Sequence, residues 1–304
     1  MKPYSVFSYT EDALSLLPPR PAESHKGTFG RVLCVCGSRG MSGAAFLCAK
    51  AAYRMGAGLV RILTAQENRV ILQTQLPEAI VTAYDSDAPD MNTISEAAEW
   101  ADVLVIGCGL GITPVSRKIL AYLLRNNEKP KVLDADALNL LSRNPSLLKY
   151  TKNAILTPHP LELSRLTGKS PEELLSDSEK AAYDFAKKWN TVCVLKEHRT
   201  AVSDGGDRLY RNTTGNSGMA TGGAGDVLAG MLGGLWAQCR LDKAYTPLRI
   251  AALGVYLHGL CGDLAAHRLG EYSLMASDLL DALPEILRRC GSPLDFPSPH
   301  QDFS

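Results

Sequence analysis

Residues 31–63 read RVLCVCGSRGMSGAAFLCAKAAYRMGAGLVRIL, and this stretch decides the fold. Residues 31–36 form an apolar, β-rich run that halts at Gly37. Residues 43–55 then carry Ala, Leu and Tyr at helical spacing, and a second apolar run follows at 59–63. Strand, helix and strand in that order predict a crossover between neighbouring parallel strands. The rhythm continues outward, with further strand-like runs at 103–106, 131–133, 154–156 and 192–195, most of them ending in glycine, aspartate or proline. Residues 114–125 begin with a proline suited to a first helical turn. The whole pattern predicts an α/β fold, a mainly parallel sheet covered by helices on both faces. After Leu195 the pattern changes: 200–203 and 208–212 are strand-like and flank Asp204-Gly205-Gly206-Asp207, which predicts an antiparallel edge. Helical patterns dominate 226–287, with an interruption near 270–274.

The chain has 304 residues, with no solenoid-length repeat and no convincing linker, so one catalytic domain is expected over 26–290. A polar, proline-punctuated extension (1–25) precedes it, and a proline-rich tail (291–304), expected to be mobile, follows. Thirty-two basic residues balance thirty-two acidic ones, so a polyanion-gripping role is not expected, and neither nucleic acid nor an acidic membrane surface is a predicted partner. With 45% hydrophobic and 21% charged residues the chain reads as ordinary globular protein. The N-terminus has no apolar signal core, and no uninterrupted apolar run reaches the ~20 residues of a membrane helix. Cys34, Cys36, Cys108 and Cys193 sit in strand-like runs and Cys48, Cys239 and Cys261 in helix-like ones. With no CxxC pair, they read as reduced core thiols rather than a zinc site, and a cytoplasmic location is expected.

The densest chemical signal is residues 216–230, NSGMATGGAGDVLAG, a glycine-rich loop running into an amphipathic helix. Gly222, Gly223 and Gly225 allow positive φ and close backbone approach, while the helix start offers free N–H groups and a positive dipole end to an anion. Asp226 is the oddity. A carboxylate beside a phosphate cradle repels the ligand unless it has its own task, and the task that fits is that of a general base taking a hydroxyl proton during phosphoryl transfer. A capping aspartate in a loop packed tightly through its glycines is the alternative, and no GKS or GKT makes this a P-loop.

Other motifs cluster at predicted strand ends. Gly37 to Gly43 closes the first strand where α/β sheets bind ligands, and the small Ala44 and Ala45 would let a flat ring approach. Gly107, Gly109 and Gly111 follow another strand without the full dinucleotide fingerprint, and read as a wall for substrate. Asp134 and Asp136 either hold magnesium through water or pin a neighbouring loop. His159, between two prolines, is rigidly placed, either for hydrogen bonding to a polar substrate or as a structural histidine.

Taken together, ATGGAGDVLAG (220–230), KGTFGRVLCVCGS (26–38) followed by Gly43-Ala44-Ala45, Gly107-Cys-Gly109-Leu-Gly111, Asp134-Ala-Asp136-Ala-Leu-Asn139 and Thr157-Pro-His159-Pro-Leu-Glu162 resemble, in fixed order, the ADP/ATP-dependent NAD(P)H-hydrate dehydratases of the ribokinase-like superfamily. The match runs from about residue 26 to 287. It implies a ribokinase-like three-layer α/β/α sandwich and a reaction in which (6S)-NADHX or NADPHX is dehydrated at the expense of ADP or ATP, with Mg2+ as cofactor and Asp226 catalytic. It implies substrate contacts from Ala44, Ala45, Gly109, Gly111, His159 and Asp226. Nucleotide contacts would come from Lys196, Glu197, His198, Arg199 and Thr200 together with Gly222, Gly223 and Gly225; no metal ligand is assigned. The chain departs from the family at Glu197 and Leu161, both commonly glycine there, which adds charge at the first position and alters shape at both. A homo-oligomer, often a tetramer, is implied, and the short extension leaves no room for the companion epimerase. The alternatives are a ribokinase-like kinase for a vitamin precursor or sugar, and a non-catalytic nucleotide sensor.

Overall fold

A computed structural model describes residues 2–289 of the chain. The tail expected to be mobile, 291–304, lies outside the described residues. Ten strands form one sheet: β1 (Ser5–Phe7), β2 (Arg31–Val35), β3 (Leu59–Ala65), β4 (Ile80–Tyr84), β5 (Val103–Ile106), β6 (Lys131–Leu133), β7 (Ile155–Leu156), β8 (Val192–Leu195), β9 (Ala201–Ser203) and β10 (Arg208–Arg211). Their order is β1-β10-β9-β8-β7-β6-β5-β2-β3-β4, with antiparallel pairing only at β8·β9 and β9·β10. The expected antiparallel side is therefore present. One strand lies beyond it: β1, from the extension, pairs parallel with β10. Three residues of ordinary composition give no strand signal of their own; the pairing with β10 makes the strand.

The helices are α1 (Ser42–Arg54), α2 (Arg69–Gln75), α3 (Met91–Trp100), α4 (Pro114–Asn126), α5 (Asp136–Arg143), α6 (Pro160–Thr167), α7 (Pro171–Ser176), α8 (Ser178–Trp189), α9 (Ala224–Cys239), α10 (Pro247–Leu269) and α11 (Ala276–Arg288). They divide between the two faces. Along β2, Val32 and Cys34 face a core built with α1, α9, α10 and α11, whereas Leu33 and Val35 face a second core built with α3, α4, α5 and α8. Because both faces of the strand are buried, it reads as a continuous apolar run instead of an alternating one. The result is the expected three-layer sandwich.

Helix α9 is apolar around most of its circumference because it is buried on nearly every side. A Cβ on its Gly230 would stand 2.0 Å from the Cys48 carbonyl oxygen, so glycine lets α1 and α9 pack backbone to backbone. That contact fixes where α9 begins. Helix α10 meets the length and hydropathy of a membrane span, in contrast to the reading of uninterrupted runs, but 67% of the qualifying window is buried inside the protein. The seven described cysteines are all buried and free.

Between β2 and β5 the sheet changes direction of growth: β3 and β4 add on one side of β2 and β5 on the other. Loops leaving two such strands diverge and open a crevice at the carboxyl edge. The Gly37 and Ser38 N–H groups donate to the Cys108 and Gly109 carbonyls at 2.9 and 2.6 Å, which ties the two glycine loops together at that point.

Candidate active site

A cavity of about 910 Å³ opens at this edge, lined by residues from the ends of β6 and β8, the start of α6, the 212–226 loop and α10. Its floor is the start of α9. Gly223 is the N-cap of that helix with φ +94°, a left-handed conformation that suits glycine. Among the described residues, the backbone N–H groups of Gly223, Gly225 and Asp226 take no backbone partner, so three donors converge on the cavity at the positive end of the helix. A Cβ on Gly225 would lie 3.4 Å from Lys196 Nζ and 3.6 Å from Asp134 Oδ2, ordinary contact distances that show how close this charged pair sits to the helix start.

That pair joins residues 62 positions apart. Lys196, just past β8, donates from Nζ to Asp134 Oδ1 at 2.6 Å, and the Thr157 hydroxyl donates to the same oxygen at 2.7 Å. Asp134 is 1% exposed, so its charge depends on these partners. Burial opposes the charge on Lys196, but Asp134 and Glu162 outweigh it and hold the ammonium above the ordinary lysine value. Asp136 turns the other way, and its Oδ2 accepts from the Gly111 N–H at 2.7 Å. The Asp136 contact pins a neighbouring loop. Between them Ala135 adopts φ +47°, a strained conformation for alanine that is held by the contacts on either side.

Asp226 enters from the first turn of α9. Burial, and then the charge of Asp134, push its carboxyl up to about 6; the nearby Cys108 thiol and Lys196 pull it back, and Asp136 adds a further push upward. A carboxylate poised near 6 is ionised at neutral pH yet basic enough to accept a proton.

His159 caps α6. Its Nδ1 accepts from the Glu162 N–H at 3.3 Å, while Glu162 Oε2 accepts from the His159 N–H at 2.9 Å. With Nδ1 occupied as an acceptor, the ring proton is assigned to Nε2, 3.5 Å from Glu162 Oε1. Burial, Lys196 and Arg165 lower its pKa, so the ring is a neutral donor. Burial raises the Glu162 carboxyl to about 7 against the pull of Lys196.

The structure does not bring all the sequence-predicted residues together. Asp226, His159, Lys196, Glu197, His198, Thr200, Gly223 and Gly225 line the cavity together. Arg199 and Gly222 are exposed outside its lining. Ala44, Gly109 and Gly111 gather at the neighbouring β2/β5 crevice, where a Cβ on Gly109 would meet Ala44 at 2.8 Å. Ala45 is fully buried, so it offers no surface to a ligand. At Glu197 the added charge is answered by Ser178, whose hydroxyl donates to Oε1 at 2.6 Å, and by Arg211 at 3.7 Å. Positive φ is absent there, so the backbone has no need of glycine. Leu161 is in the first turn of α6 and 47% exposed.

Several residues at the site gave no sequence signal. His258 of α10, neutral because burial pushes its pKa down to about 4, places Nε2 3.0 Å from the Ala224 carbonyl. Asp263 accepts from the Gly215 N–H at 2.9 Å and from Asn216 Nδ2 at 3.1 Å, which anchors the loop ahead of α9. Cys108, just past β5, brings its sulfur within 4.8 Å of an Asp226 carboxylate oxygen. Only topology makes any of these three a neighbour of the glycine loop.

Among the described residues, no three carboxylates converge closely enough to hold an ion by themselves. Among the described residues, the carboxylate-bearing group close enough to share an ion is Cys108, Asp134 and Asp226. Cys108 is a soft, buried thiol, and one oxygen of Asp134 is already taken by Lys196 and Thr157.

The family model described as NAD(P)H-hydrate dehydratase matches residues 32–285. The bifunctional NAD(P)H-hydrate repair enzyme Nnr of Moorella thermoacetica is 41% identical over 283 residues, covering 90% of this chain and 52% of the relative. This chain thus spans about half the length of the curated relatives of that kind. The ADP-dependent (S)-NAD(P)H-hydrate dehydratase of Enterococcus faecalis is 33% identical over 91% of both chains. The crystal structure of the ADP/ATP-dependent NAD(P)H-hydrate dehydratase from Bacillus subtilis, co-crystallised with ATP/Mg2+, superposes with a TM-score of 0.78 at 33% identity, covering 92% of this chain and 97% of that one. Order of motifs, sheet topology and these matches agree, and the chain belongs to the NAD(P)H-hydrate dehydratase family.

Proposed function

We propose that this protein dehydrates (6S)-NADHX and NADPHX to NADH and NADPH, using ADP or ATP and releasing AMP or ADP with inorganic phosphate. The observation that carries the reading is a half-buried carboxylate, Asp226, set among free backbone donors at a helix start and close to the Lys196–Asp134 pair. Hydroxide is a poor leaving group and phosphate a good one. Asp226 takes the proton of the ring hydroxyl as its oxygen attacks the terminal phosphorus, and the bond to the nucleotide's bridging oxygen breaks. The N–H groups of Gly223 and Gly225 receive the charge on the transferring group. Elimination of phosphate, with loss of a proton from the adjacent ring carbon, then restores the reduced nicotinamide. Lys196, His198 and Thr200 line the nucleotide's side of the cavity, and His159 offers Nε2–H to a polar group of the hydrate.

Magnesium, in this account, arrives on the nucleotide's phosphates, and no step is routed through a protein-held ion. The free buried thiols suit a reducing, cytoplasmic compartment. A homo-oligomer is the assembly implied by family resemblance; a light-scattering mass equal to one chain would contradict it. The test of the reaction is product analysis with NADHX and each nucleotide. Recovery of the reduced-nicotinamide absorbance with one phosphate per turnover supports the dehydratase; a stable phosphorylated product identifies a kinase, and binding without cleavage a sensor.

A further inference from the structure

The reaction moves two protons, and Asp226 accounts for one. Once it has taken the hydroxyl proton in the phosphoryl step it is occupied, so the proton that leaves the adjacent ring carbon during elimination needs a second acceptor in the same cavity. Most groups lining that cavity are committed elsewhere. Asp134 is held by Lys196 and Thr157, and Glu197 by Ser178 and Arg211. His258 is tied to the Ala224 carbonyl through Nε2 and, with its pKa pushed down to about 4, is a weak base. His159 accepts from the Glu162 N–H at Nδ1, so it carries its proton on Nε2 and can only donate there.

Glu162, in the first turn of α6, is the exception. Its Oε2 accepts from the His159 N–H at 2.9 Å, whereas its Oε1 takes no hydrogen bond among the described residues. Nor is Oε1 one of the polar atoms sealed in the core without a partner, and the residue lines the cavity, so this oxygen borders open space there. It stands 3.5 Å from His159 Nε2, the donor offered to the hydrate. A polar group of the hydrate held by Nε2 at about 3 Å therefore lies within roughly 6.5 Å of an uncommitted carboxylate oxygen. Only 5% of the side chain is exposed, and burial, which raises the carboxyl to about 7, makes it a stronger proton acceptor than a solvated glutamate while leaving part of it ionised at neutral pH.

We propose that Glu162 is the catalytic base of the elimination step, taking the proton from the ring carbon next to the one that bears phosphate. The C–H electron pair forms the ring double bond, and the C–O bond breaks with its electrons leaving on phosphate. The proton then passes from Glu162 to solvent. This inference rests on the phosphoryl route through Asp226, and the experiment separates the two. Wild type, Glu162→Gln and Asp226→Asn are mixed with NADHX and ADP and quenched rapidly, and AMP, inorganic phosphate and reduced nicotinamide are measured in one time course. Glutamine keeps an oxygen to accept from the His159 N–H, so the cap of α6 is retained, but it cannot take a proton.

In Glu162→Gln, AMP is expected to form in the first turnover at close to the wild-type rate, while phosphate and NADH appear about a hundredfold more slowly. A phosphorylated hydrate accumulates between the two events and is identified by 31P NMR. In Asp226→Asn all three products are expected to be lost. AMP, phosphate and NADH that slow together in Glu162→Gln are the signature of a cap and nothing more, and overturn the proposal, as does a variant in which none of them slows. AMP formation that persists in Asp226→Asn, while Glu162→Gln still accumulates the phosphorylated hydrate, supports Glu162 and refutes Asp226 as the base of the first step.

Discussion

Replacing Asp226 by Asn is expected to make the protein more stable while removing its turnover. The carboxyl titrates near 6 in the folded protein, against about 4 for an ordinary aspartate. Between those values the folded chain holds a proton that the unfolded chain has released. The stability linked to this group is therefore fully present below about pH 4 and is lost as pH rises through 6. A difference of about two pH units corresponds to about 3 kcal/mol of strain once the group is ionised. Because the side chain faces an open cavity, that figure is a ceiling, and a gain of roughly 1–3 kcal/mol at pH 7.5, a few degrees in Tm, is expected for Asp226→Asn. Urea denaturation of both proteins at pH 4.5, 6 and 7.5 reads it directly. The variant's advantage should grow across this range and be smallest at the acid end. A variant no more stable than wild type at pH 7.5, or one whose advantage ignores pH, refutes the argument that the site holds its base at a cost to the fold.

Three further perturbations follow from the same geometry. Lys196→Met leaves the buried Asp134 charge with only the Thr157 hydroxyl and should cost about 3 kcal/mol in denaturation at neutral pH, with KM for nucleotide raised; unchanged stability contradicts the pairing. Gly223→Ala forces a side chain into φ +94° with a Cβ 2.6 Å from Leu47 Cδ1, so a loss of about 1–3 kcal/mol and of activity is expected, read by thermal melting and phosphate release. Asp263→Ala removes the acceptor for Gly215 and Asn216 and should raise KM for nucleotide about tenfold with a smaller change in kcat, because the loop and not the base is loosened; a pure kcat loss contradicts that role.

Much of the sheet was legible because its central strands are buried on both faces and so stand out as short apolar runs; 103–106, 131–133 and 192–195 match their observed bounds. Strand β1 was not legible, since Ser5–Phe7 carries nothing but the ability to pair with a strand two hundred residues away. Strand β4 (Ile80–Tyr84) escaped notice despite its β-branched residues, lying between a short, seven-residue helix and a polar loop at the far edge. At the site, Asp226 was legible because a carboxylate in a phosphate-type loop contradicts its surroundings. Its environment was not. The partners that tune it, Cys108, Asp134 and Lys196, come from the ends of three other strands, and their convergence is set by the strand order at the β2/β5 reversal, which no local pattern encodes. Glu197 shows the converse: it was legible as a departure that adds charge, and it does line the cavity, but Ser178 and Arg211, which answer that charge, were not legible.

The most direct test of the account is a crystal structure of the protein with ADP or a non-hydrolysable ATP analogue. The account predicts the terminal phosphate within hydrogen-bonding distance of the N–H groups of Gly223 and Gly225, with the Asp226 carboxylate on the side from which a hydroxyl would attack. Phosphates bound away from residues 222–226 contradict it, whatever activity the protein displays.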